Sequence, residues 1–480
     1  MKKVLSILLL SVAVTACVSA PSTTPSEVAL RPPSLGLSDT ATPEIADAWW
    51  KAFGDAQLDT LVEEAFKGNP SLAAALARVR EAQSQLASST AATYPQITFD
   101  GNETRERFSK DYIIPPPYAG TTQWIGTVQA QLSYSLDLFG KEHAGIERAR
   151  ASARAADLDA TAARLLLAGA VTQSYIALSR AYVLADVAEE AVKQREGVFS
   201  LTQGRVRAGL DTMASQKQAE ALLAIAREDL IRANANRDLA VHQIAALIGR
   251  GADAYNITRP HFNEAALPLP SMLPADLLAR RADIAAAQAR INAAFSGREV
   301  ARKAFYPDIN LLGLAGWAAV GLSPMFSASA LQYGPGAAIH LPIFDAGKLR
   351  ADYAGATADL DQSVADYNQA VVNAVKQTAD CITELRTIED QAAQQRTALD
   401  AAQASFDLTT RRYRSGLNPQ QNVLDSEAVL IQARRQYAAL SADTASARVA
   451  LLMAIGGGFD SAKPNLASAS NSQGHANEQH

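Results

Sequence analysis

The sequence predicts an α+β membrane protein built from a duplicated unit, each copy holding two barrel strands and two long coiled-coil helices. Three observations predict this fold class: motifs that recur in the same order after about 200 residues, long stretches without proline, and alternation of apolar and polar residues over 122–138. The 480-residue chain is 48% hydrophobic and has a formal net charge of −5. This charge argues against nucleic acid as a partner, because phosphate binding requires a basic surface.

The N-terminus predicts export and lipidation. A short basic start and an apolar run over 4–14 are typical of a secretory signal peptide, here residues 1–16. The run ends in the letters VTAC at Cys17, which resemble a bacterial lipobox, so Cys17 is the predicted site of acylation by palmitate-type chains. An ordinary signal peptide with a chance cysteine is the alternative. Residues 17–48, rich in Ser, Thr, Pro and Ala, are predicted to be a lipid-anchored tether.

Internal repeats define the organisation of the remaining chain. The segment 69–79 matches 281–291, the Tyr-Pro at 94 matches the Tyr-Pro at 306, and Gly209-Leu210 matches Gly416-Leu417. Colinear matches of this kind indicate tandem duplication. We therefore predict a first repeat over 49–260 and a second repeat over 261–456.

Proline placement predicts the long helices. No proline lies between Pro117 and Pro260 or between Pro342 and Pro419, and these windows are rich in Ala, Leu, Arg, Glu and Gln. Between Leu223 and Leu247, residues that are apolar except for Arg237 recur in alternating steps of three and four, which is the coiled-coil period. The predicted helices are 141–207, 213–248, 348–413 and 420–455.

Strands are predicted at about 95–108, 122–138, 306–318 and 332–343. Even positions from Trp124 onward are apolar, whereas the odd positions are polar except for Ile125. Such alternation is typical of a barrel strand with its apolar face outward, although a single strand of this kind also suits a half-buried soluble sheet. Four strands cannot close a pore, so several copies of the chain must share one barrel.

A series of motifs between about residues 46 and 456 resembles the outer membrane factor family of TolC/OprM-type efflux channels, in particular its lipoprotein branch. The motifs are Trp49-Trp50-Lys51-Ala52-Phe53-Gly54-Asp55, Asn69-Pro70-Ser71-Leu72, Arg281-Ala282-Asp283-Ile284, Tyr306-Pro307, Phe344-Asp345-Ala346-Gly347-Lys348 and Tyr413-Arg414-Ser415-Gly416. Ala282 stands where the family has proline. The resemblance implies a homotrimer with a 12-stranded β-barrel and a periplasmic α-helical barrel.

The resemblance also implies a function. Family members are passive outer membrane channels of tripartite efflux systems, which receive drugs or other small toxic compounds from an inner-membrane pump, here expected to be of the RND type, through a periplasmic adaptor (membrane fusion protein). We expect a lipid-anchored protein in the bacterial outer membrane, in contact with outer membrane lipid and extending into the periplasm. An exit duct for type I protein secretion and a non-channel coiled-coil periplasmic lipoprotein are the alternatives.

The resemblance further implies a periplasmic gate. It aligns Asp425 with an inward-facing carboxylate ring and puts Asn422 and Gln421 where relatives carry other gate residues. Three facing carboxylates would repel one another and attract cations, whereas a solvated helix face is the plain alternative. Tyr413 and Arg412 or Arg414 lie near the family's inter-helix locking contacts.

Two Gly-Leu pairs are predicted at the tips of the helix hairpins. Gly209 and Gly416 supply the positive φ that ends a helix, which by itself explains the glycines. Leu210 and Leu417 would be exposed, and the family uses such tips to dock the adaptor. Both interpretations remain open here.

The sequence offers few other candidates for catalytic or metal-binding residues. Cys381 lies in a predicted helix and is interpreted as a packed thiol, and the histidines lack ligand spacing. We find no nucleophile–base set, phosphate loop or metal motif, so we expect no enzyme activity, no metal and no cofactor beyond the covalent lipid on Cys17. The polar residues 457–480 are predicted to be a disordered tail.

Overall fold

The computed structural model describes residues 23–30, 45–111, 113–251, 257–261 and 279–459. Cys17, the predicted signal peptide and the tail from residue 460 lie outside these residues. The described helices are α1 (Ala56–Gly68), α2 (Pro70–Ala91), α3 (Lys141–Arg207), α4 (Met213–Leu247), α5 (Ala282–Lys303), α6 (Lys348–Arg414) and α7 (Gln420–Ala454). The described strands are β1 (Gln96–Arg107), β2 (Thr122–Leu136), β3 (Asp308–Val320) and β4 (Leu331–His340).

Packing divides the chain into two compact units, and each unit draws on both sequence repeats. The first comprises the described parts of 1–29, 79–156 and 287–367, and the second those of 30–78, 157–286 and 368–480. The four strands lie in the first unit, where β2 of one repeat pairs with β3 of the other. Each repeat is therefore one continuous stretch of sequence, whereas each compact unit combines corresponding segments of the two repeats.

The sheet is antiparallel throughout, in the order β1-β2-β3-β4. Gln96 pairs with Ser133, Leu136 with Ile309, and Ile309 with Ile339, so the helix-connected ends of all four strands lie at one end of the sheet. The other end carries the two hairpin connections and is called the hairpin end below. Within the described residues, the outer edges of β1 and β4 have no strand partner.

Two strands end earlier than predicted, for identifiable reasons. β2 ends at Leu136 instead of 138 because the Asp137 carboxylate accepts hydrogen bonds from the backbone N–H groups of Glu142 (3.1 Å) and His143 (2.8 Å). Asp137 thereby caps α3. β4 ends at His340 instead of 343, and Pro342 has no N–H with which to continue the ladder.

The strand register gives the sheet one apolar face. Residues that pair directly point to the same side, and this face continues across all four strands. Its apolar members are Ile97, Phe99, Gly101, Trp124, Gly126, Val128, Ala130, Leu132, Tyr134, Leu136, Ile309, Leu311, Gly313, Ala315, Trp317, Ala319, Leu331, Tyr333, Pro335, Ala337 and Ile339. At the hairpin end, the same face of β1 also carries Glu103, Arg105 and Arg107.

The opposite face differs between the two repeats. On β1 and β2 it is polar, with Asp100 paired to Gln129, whose side chain accepts a hydrogen bond from Gln332 (3.1 Å). On β3 it carries Leu312 and Leu314, each opposite a glycine of β4. The polar inward face predicted from the alternation of β2 therefore does not extend across β3.

The long helices dominate the rest of the fold. α3 and α6 each have 67 residues and α4 and α7 each have 35, and these bounds differ from the predicted ones by at most one residue. A straight 67-residue helix is about 100 Å long. Leu223, Ala226 and Ile244 of the α4 seam are buried, and its other positions are at least partly covered. The heptad pattern therefore marks the packed face of α4. Among the described residues, no helix combines the length and apolar character needed to cross a membrane.

The largest core lies in the second unit. The short 3-10 turn Trp49–Phe53 buries its aromatic rings against α1, α3, α4 and α7. Tyr175 of α3 is fully buried in this core and donates a hydrogen bond to Asp55 (2.7 Å). Burial and this bond both raise the pKa of Tyr175, so its phenol stays protonated. Asp55 also accepts from the backbone of His261 (3.0 Å), which holds residues 257–261 against α1.

Part of the predicted tether packs against helices of the first unit. The backbone N–H groups of Ser26 (2.9 Å) and Glu27 (3.1 Å) donate to the Asp361 carboxylate on α6. Arg298 of α5 donates to the carbonyl of Thr23 (2.7 Å). Hydrogen bonds thus hold this part of the segment 23–30, and lipid attachment at Cys17 remains a prediction.

Candidate functional site

The two helix hairpins end in the same backbone motif. After α3, the N–H of Leu210 donates to Arg205 O (2.9 Å) and that of Gly209 to Val206 O (3.0 Å). After α6, Leu417 donates to Arg412 O (2.8 Å) and Gly416 to Tyr413 O (3.0 Å). Both glycines have positive φ, 73° and 77°. This is the Schellman motif, for which glycine is favoured because it has no Cβ.

The leucines at these tips do not make the contact that usually accompanies the motif. A Schellman cap commonly packs its last residue against the residue five positions earlier, but those residues here are Arg205 and Arg412. Leu210 is 66% exposed and Leu417 is 70% exposed. Helix termination therefore explains the two glycines and leaves the leucines free for contact with another molecule.

A three-residue contact, the tip link, joins the first tip to the end of α6. The buried Tyr413 hydroxyl donates to the Asp211 carboxylate (3.1 Å). The Arg205 guanidinium lies 4.7 Å from the centroid of the Tyr413 ring, and its Nε is 3.6 Å from Asp211. Tyr413 thus makes a contact between helices, and its role in locking them remains a prediction. Arg412 and Arg414 are exposed, and Arg205 supplies the cation instead.

The charge state of the tip link is fixed by its hydrogen bonds. Burial alone would raise the pKa of Asp211, but hydrogen bonds from Ser215, Thr212 and Tyr413 and the charge of Arg205 outweigh it and lower that pKa. Burial raises the pKa of Tyr413. The link is therefore a neutral phenol donating to a carboxylate at neutral pH.

The predicted gate residues share one exposed face at the start of α7. Gln421, Asn422 and Asp425 are all exposed, and the Gln421 amide donates to Asp425 (2.7 Å). The first-repeat counterpart of Asp425 is Gln218, so the carboxylate belongs to one repeat only. The structure brings these three residues together, and their role in a gate remains a prediction.

The opposite face of the same turns is packed against α3. Gln420 is buried and donates to Thr202 (2.8 Å), while Val423 and Leu424 join the core around Tyr413. Glu427 has no exposed surface, and neither of its oxygens has a hydrogen-bond partner in the described part of the chain. The nearest cation, Arg195, is 3.8 Å away, and burial raises the pKa of Glu427.

Sequence reasoning missed Arg205, Asp211, Gln420 and Glu427. The one available signal was the position of Asp211, directly after Gly209-Leu210, where the second tip has Asn418. Asp211 and Tyr413 are 202 positions apart, and no local periodicity connects them. Burial of Glu427 likewise depends on which face of α7 meets α3.

With the geometry described, comparison with known proteins identifies the family. Residues 61–250 and 273–457 match the family model described as outer membrane efflux protein. The chain belongs to the outer membrane efflux protein family. The two matched ranges correspond to the two repeats, and the predicted resemblance is thereby confirmed.

Curated relatives of this efflux protein include resistance and export proteins. The fusaric acid resistance protein FusA of Burkholderia cepacia is 38% identical over 65% of this chain, but the match spans only 59% of FusA. The pyoverdine export outer membrane protein OpmQ of Pseudomonas putida is 29% identical over 96% of this chain and 98% of its own length.

Solved structures share the fold. The outer membrane protein VceC of Vibrio cholerae is 30% identical and superposes with a TM-score of 0.81, covering 87% of this chain and all (100%) of VceC. The CmeC outer membrane channel of Campylobacter jejuni is 20% identical with a TM-score of 0.85, covering 95% of this chain and 98% of its own, which supports the fold alone.

These matches confirm the predicted fold class, localisation and function: an efflux channel of the outer membrane that extends into the periplasm and serves a tripartite system. They favour the channel over the alternative of a non-channel coiled-coil lipoprotein. The family and the structural neighbours are channels rather than enzymes.

Proposed function

We propose that three copies of this chain close one barrel of 12 strands, four from each copy, and conduct small toxic compounds passively out of the cell. The observation that carries this proposal is the pair of unpaired sheet edges on β1 and β4. Unsatisfied backbone groups are not tolerated in lipid, so each edge requires a strand from a neighbouring copy.

The dimensions of the apolar face support a membrane-spanning role. Trp124 and Tyr134 are the aromatic residues near its two ends on β2, where Leu136 adds one further apolar position. These two aromatic residues lie about 34 Å apart along the strand at 3.4 Å per residue. With a strand tilt of about 40°, that separation corresponds to a height of about 26 Å, close to the ~25 Å apolar band of outer membrane barrels. The hairpin end would then face the cell surface.

The helices would form the periplasmic tunnel, with its gate at the start of α7. In a trimer, the exposed Asp425 carboxylates would meet as a ring, with Asn422 and Gln421 beside them. Such a ring repels itself and attracts cations, which suits a narrow closed end. The tip link between Asp211 and Tyr413 would hold this end in its resting arrangement.

Small organic compounds are the proposed cargo. The names of the relatives support this choice over a secreted protein, because they refer to fusaric acid resistance, pyoverdine export and, in Escherichia coli, multidrug resistance. The compounds would be delivered by an inner-membrane pump, which we propose to be of the RND type, and by a periplasmic adaptor that docks at Leu210 and Leu417. No catalytic step and no resident cofactor belong to this function, and the lipid on Cys17 would serve as an anchor.

The test is the absolute mass of the Cys17→Ser protein in detergent, by light scattering corrected for bound detergent. We expect a stable trimer that precipitates when detergent is removed, since the apolar face of the sheet persists without the acyl chains. Conductance of the same sample in a planar bilayer supplies the functional readout. A monomer or dimer that stays in solution without detergent would contradict the shared barrel.

A further inference from the structure

The hairpin end of β1 carries two arginines on the face that is otherwise apolar. Arg105 pairs with Trp124 and Arg107 with Thr122, at the positions of β1 farthest from the helices. Because side chains alternate along a strand, Arg105 and Arg107 share a face with Ile97 and Phe99. A cation on this face is costly at the centre of a bilayer and tolerated at its boundary.

The aromatic residues of the same face mark where that boundary lies. Trp124 on β2 and Trp317 on β3 both lie toward the hairpin end, where strand register places Trp317 opposite Val128. Tryptophan and tyrosine are enriched at the level of lipid headgroups. The Arg105 guanidinium lies 5.8 Å from the centroid of the Trp124 ring, so Arg105 is at the level of this aromatic belt and Arg107 is beyond it.

In the described part of the chain, Arg105 and Arg107 have no ion-pair partner. Both are exposed, and within the described residues no carboxylate forms an ion pair with either of them. Some other described arginines do have such partners, for example Arg180 with Asp443 (2.9 Å) and Arg435 with Asp229 (2.7 Å). Glu103 is the only acidic residue of β1 on the same face, opposite Gly126 and one step nearer the membrane centre.

We propose that Arg105 and Arg107 bind the phosphate of a phosphorylated lipid headgroup in the outer leaflet of the outer membrane. Guanidinium groups bind phosphate oxygens in a bidentate manner, and Trp124 beside Arg105 supplies the apolar contact for the adjoining part of the lipid. The site is independent of the gate and of the adaptor. It fixes the depth and rotation of the barrel in the membrane through the lipid of the cell surface.

The experiment compares two probes that differ only in phosphate. Full-length protein in detergent is incubated with bis-phosphorylated lipid A or with the same lipid after enzymatic dephosphorylation, and bound lipid is counted by native mass spectrometry. The test variant is Arg105→Gln/Arg107→Gln. The matched control is Arg80→Gln/Arg396→Gln, which removes two exposed arginines from helices α2 and α6.

We expect wild-type protein and the helix control to bind the phosphorylated lipid more tightly than the dephosphorylated lipid. The test variant should bind the phosphorylated lipid about tenfold more weakly than the wild type does. Arg105→Lys/Arg107→Lys keeps the charges and should retain most of the binding. Glu103→Gln removes the opposing charge and should strengthen binding. These two variants test the site even where the glutamine variant fails to assemble.

Two outcomes would overturn the proposal. One is equal binding of phosphorylated and dephosphorylated lipid by the wild-type protein. The other is an unchanged preference in a correctly assembled Arg105→Gln/Arg107→Gln protein. Because trimer mass is recorded in the same spectra, failure of the shared barrel is distinguished from failure of this lipid site.

Discussion

At the residue scale, the first turns of α7 have one exposed polar face and one buried face. At the start of α7, Gln421, Asn422 and Asp425 are exposed, whereas Val423, Leu424 and Glu427 are buried. Residues three and four apart share a helix face, which is why Asp425 joins Gln421 and Asn422 while Glu427 joins Val423 and Leu424. The exposed face is available to a neighbouring copy or the lumen, and the buried face fixes the orientation of the helix.

Removing the predicted ring charge should open the channel. We expect Asp425→Ala to raise single-channel conductance in planar bilayers by about twofold or more, because the variant lacks the charged constriction. Antibiotic leakage into cells should rise with it. Asp400→Ala, which removes an exposed carboxylate from α6, is the control. Conductance equal to that of the wild type would count against Asp425 as the gate ring.

The burial of Glu427 predicts that the stability of the folded protein depends on pH. Its pKa lies above the ordinary 4.5, mainly because of burial. A raised folded-state pKa means that ionisation costs stability, so this cost is absent below pH 4.5 and grows as the pH rises through the folded-state value. Glu427→Gln should therefore raise the unfolding temperature by about 2 °C or more at pH 8 and leave it unchanged near pH 4.

Circular dichroism of the detergent-solubilised trimer measures this difference directly. Glu384→Gln, at an exposed position of α6, should show no such pH dependence. A lower unfolding temperature for Glu427→Gln at pH 8 would instead mean that the pair with Arg195 stabilises the fold more than burial of the carboxylate destabilises it.

At the scale of elements, the two helix tips are alike in backbone and different in side chains. Both close with the same Schellman motif around Gly209 and Gly416. The first tip adds Asp211, which forms the tip link with Tyr413 and Arg205, whereas the second has Asn418 at the matching position. The two helices thus end in the same way, whereas Asp211 in place of Asn418 and Tyr413 in place of Val206 allow the tip link.

The exposed leucines of the tips should matter for partner binding only. We expect Leu210→Asp/Leu417→Asp to reduce efflux to the background of cells lacking the channel, because charges replace an apolar docking contact. Trimers should remain intact on native gels. Ala208→Asp/Ser415→Asp puts charges at the same tips and keeps both leucines, so it should retain efflux. Normal efflux by the leucine variant would rule out docking through these residues.

At the scale of the whole molecule, the sheet is incomplete in a single chain. Four strands with two open edges and one continuous apolar face require further copies in the membrane. The compact units also mix the two repeats, since β2 pairs with β3 across the repeat boundary. One repeat alone therefore supplies half of the sheet and leaves its inner edge open.

The sequence by itself determined the local elements and the duplication. Helix bounds such as Lys141–Arg207 followed from the absence of proline and from composition, and the strand β2 followed from its alternation, because both signals lie in neighbouring residues. The Gly-Leu tips were also readable from repeated motifs, whereas Tyr413 was singled out only through the family resemblance. Family membership rested on the order of those motifs.

Only the tertiary structure decided how distant segments meet. It brought Asp211 to Tyr413, buried Glu427 beside Arg195, and ended β2 early by using Asp137 as a helix cap. It also put Leu312 and Leu314 on the face expected to be polar. These features depend on packing between residues far apart in sequence, and periodicity within one segment shows which face is apolar but not which distant helix or strand will cover it.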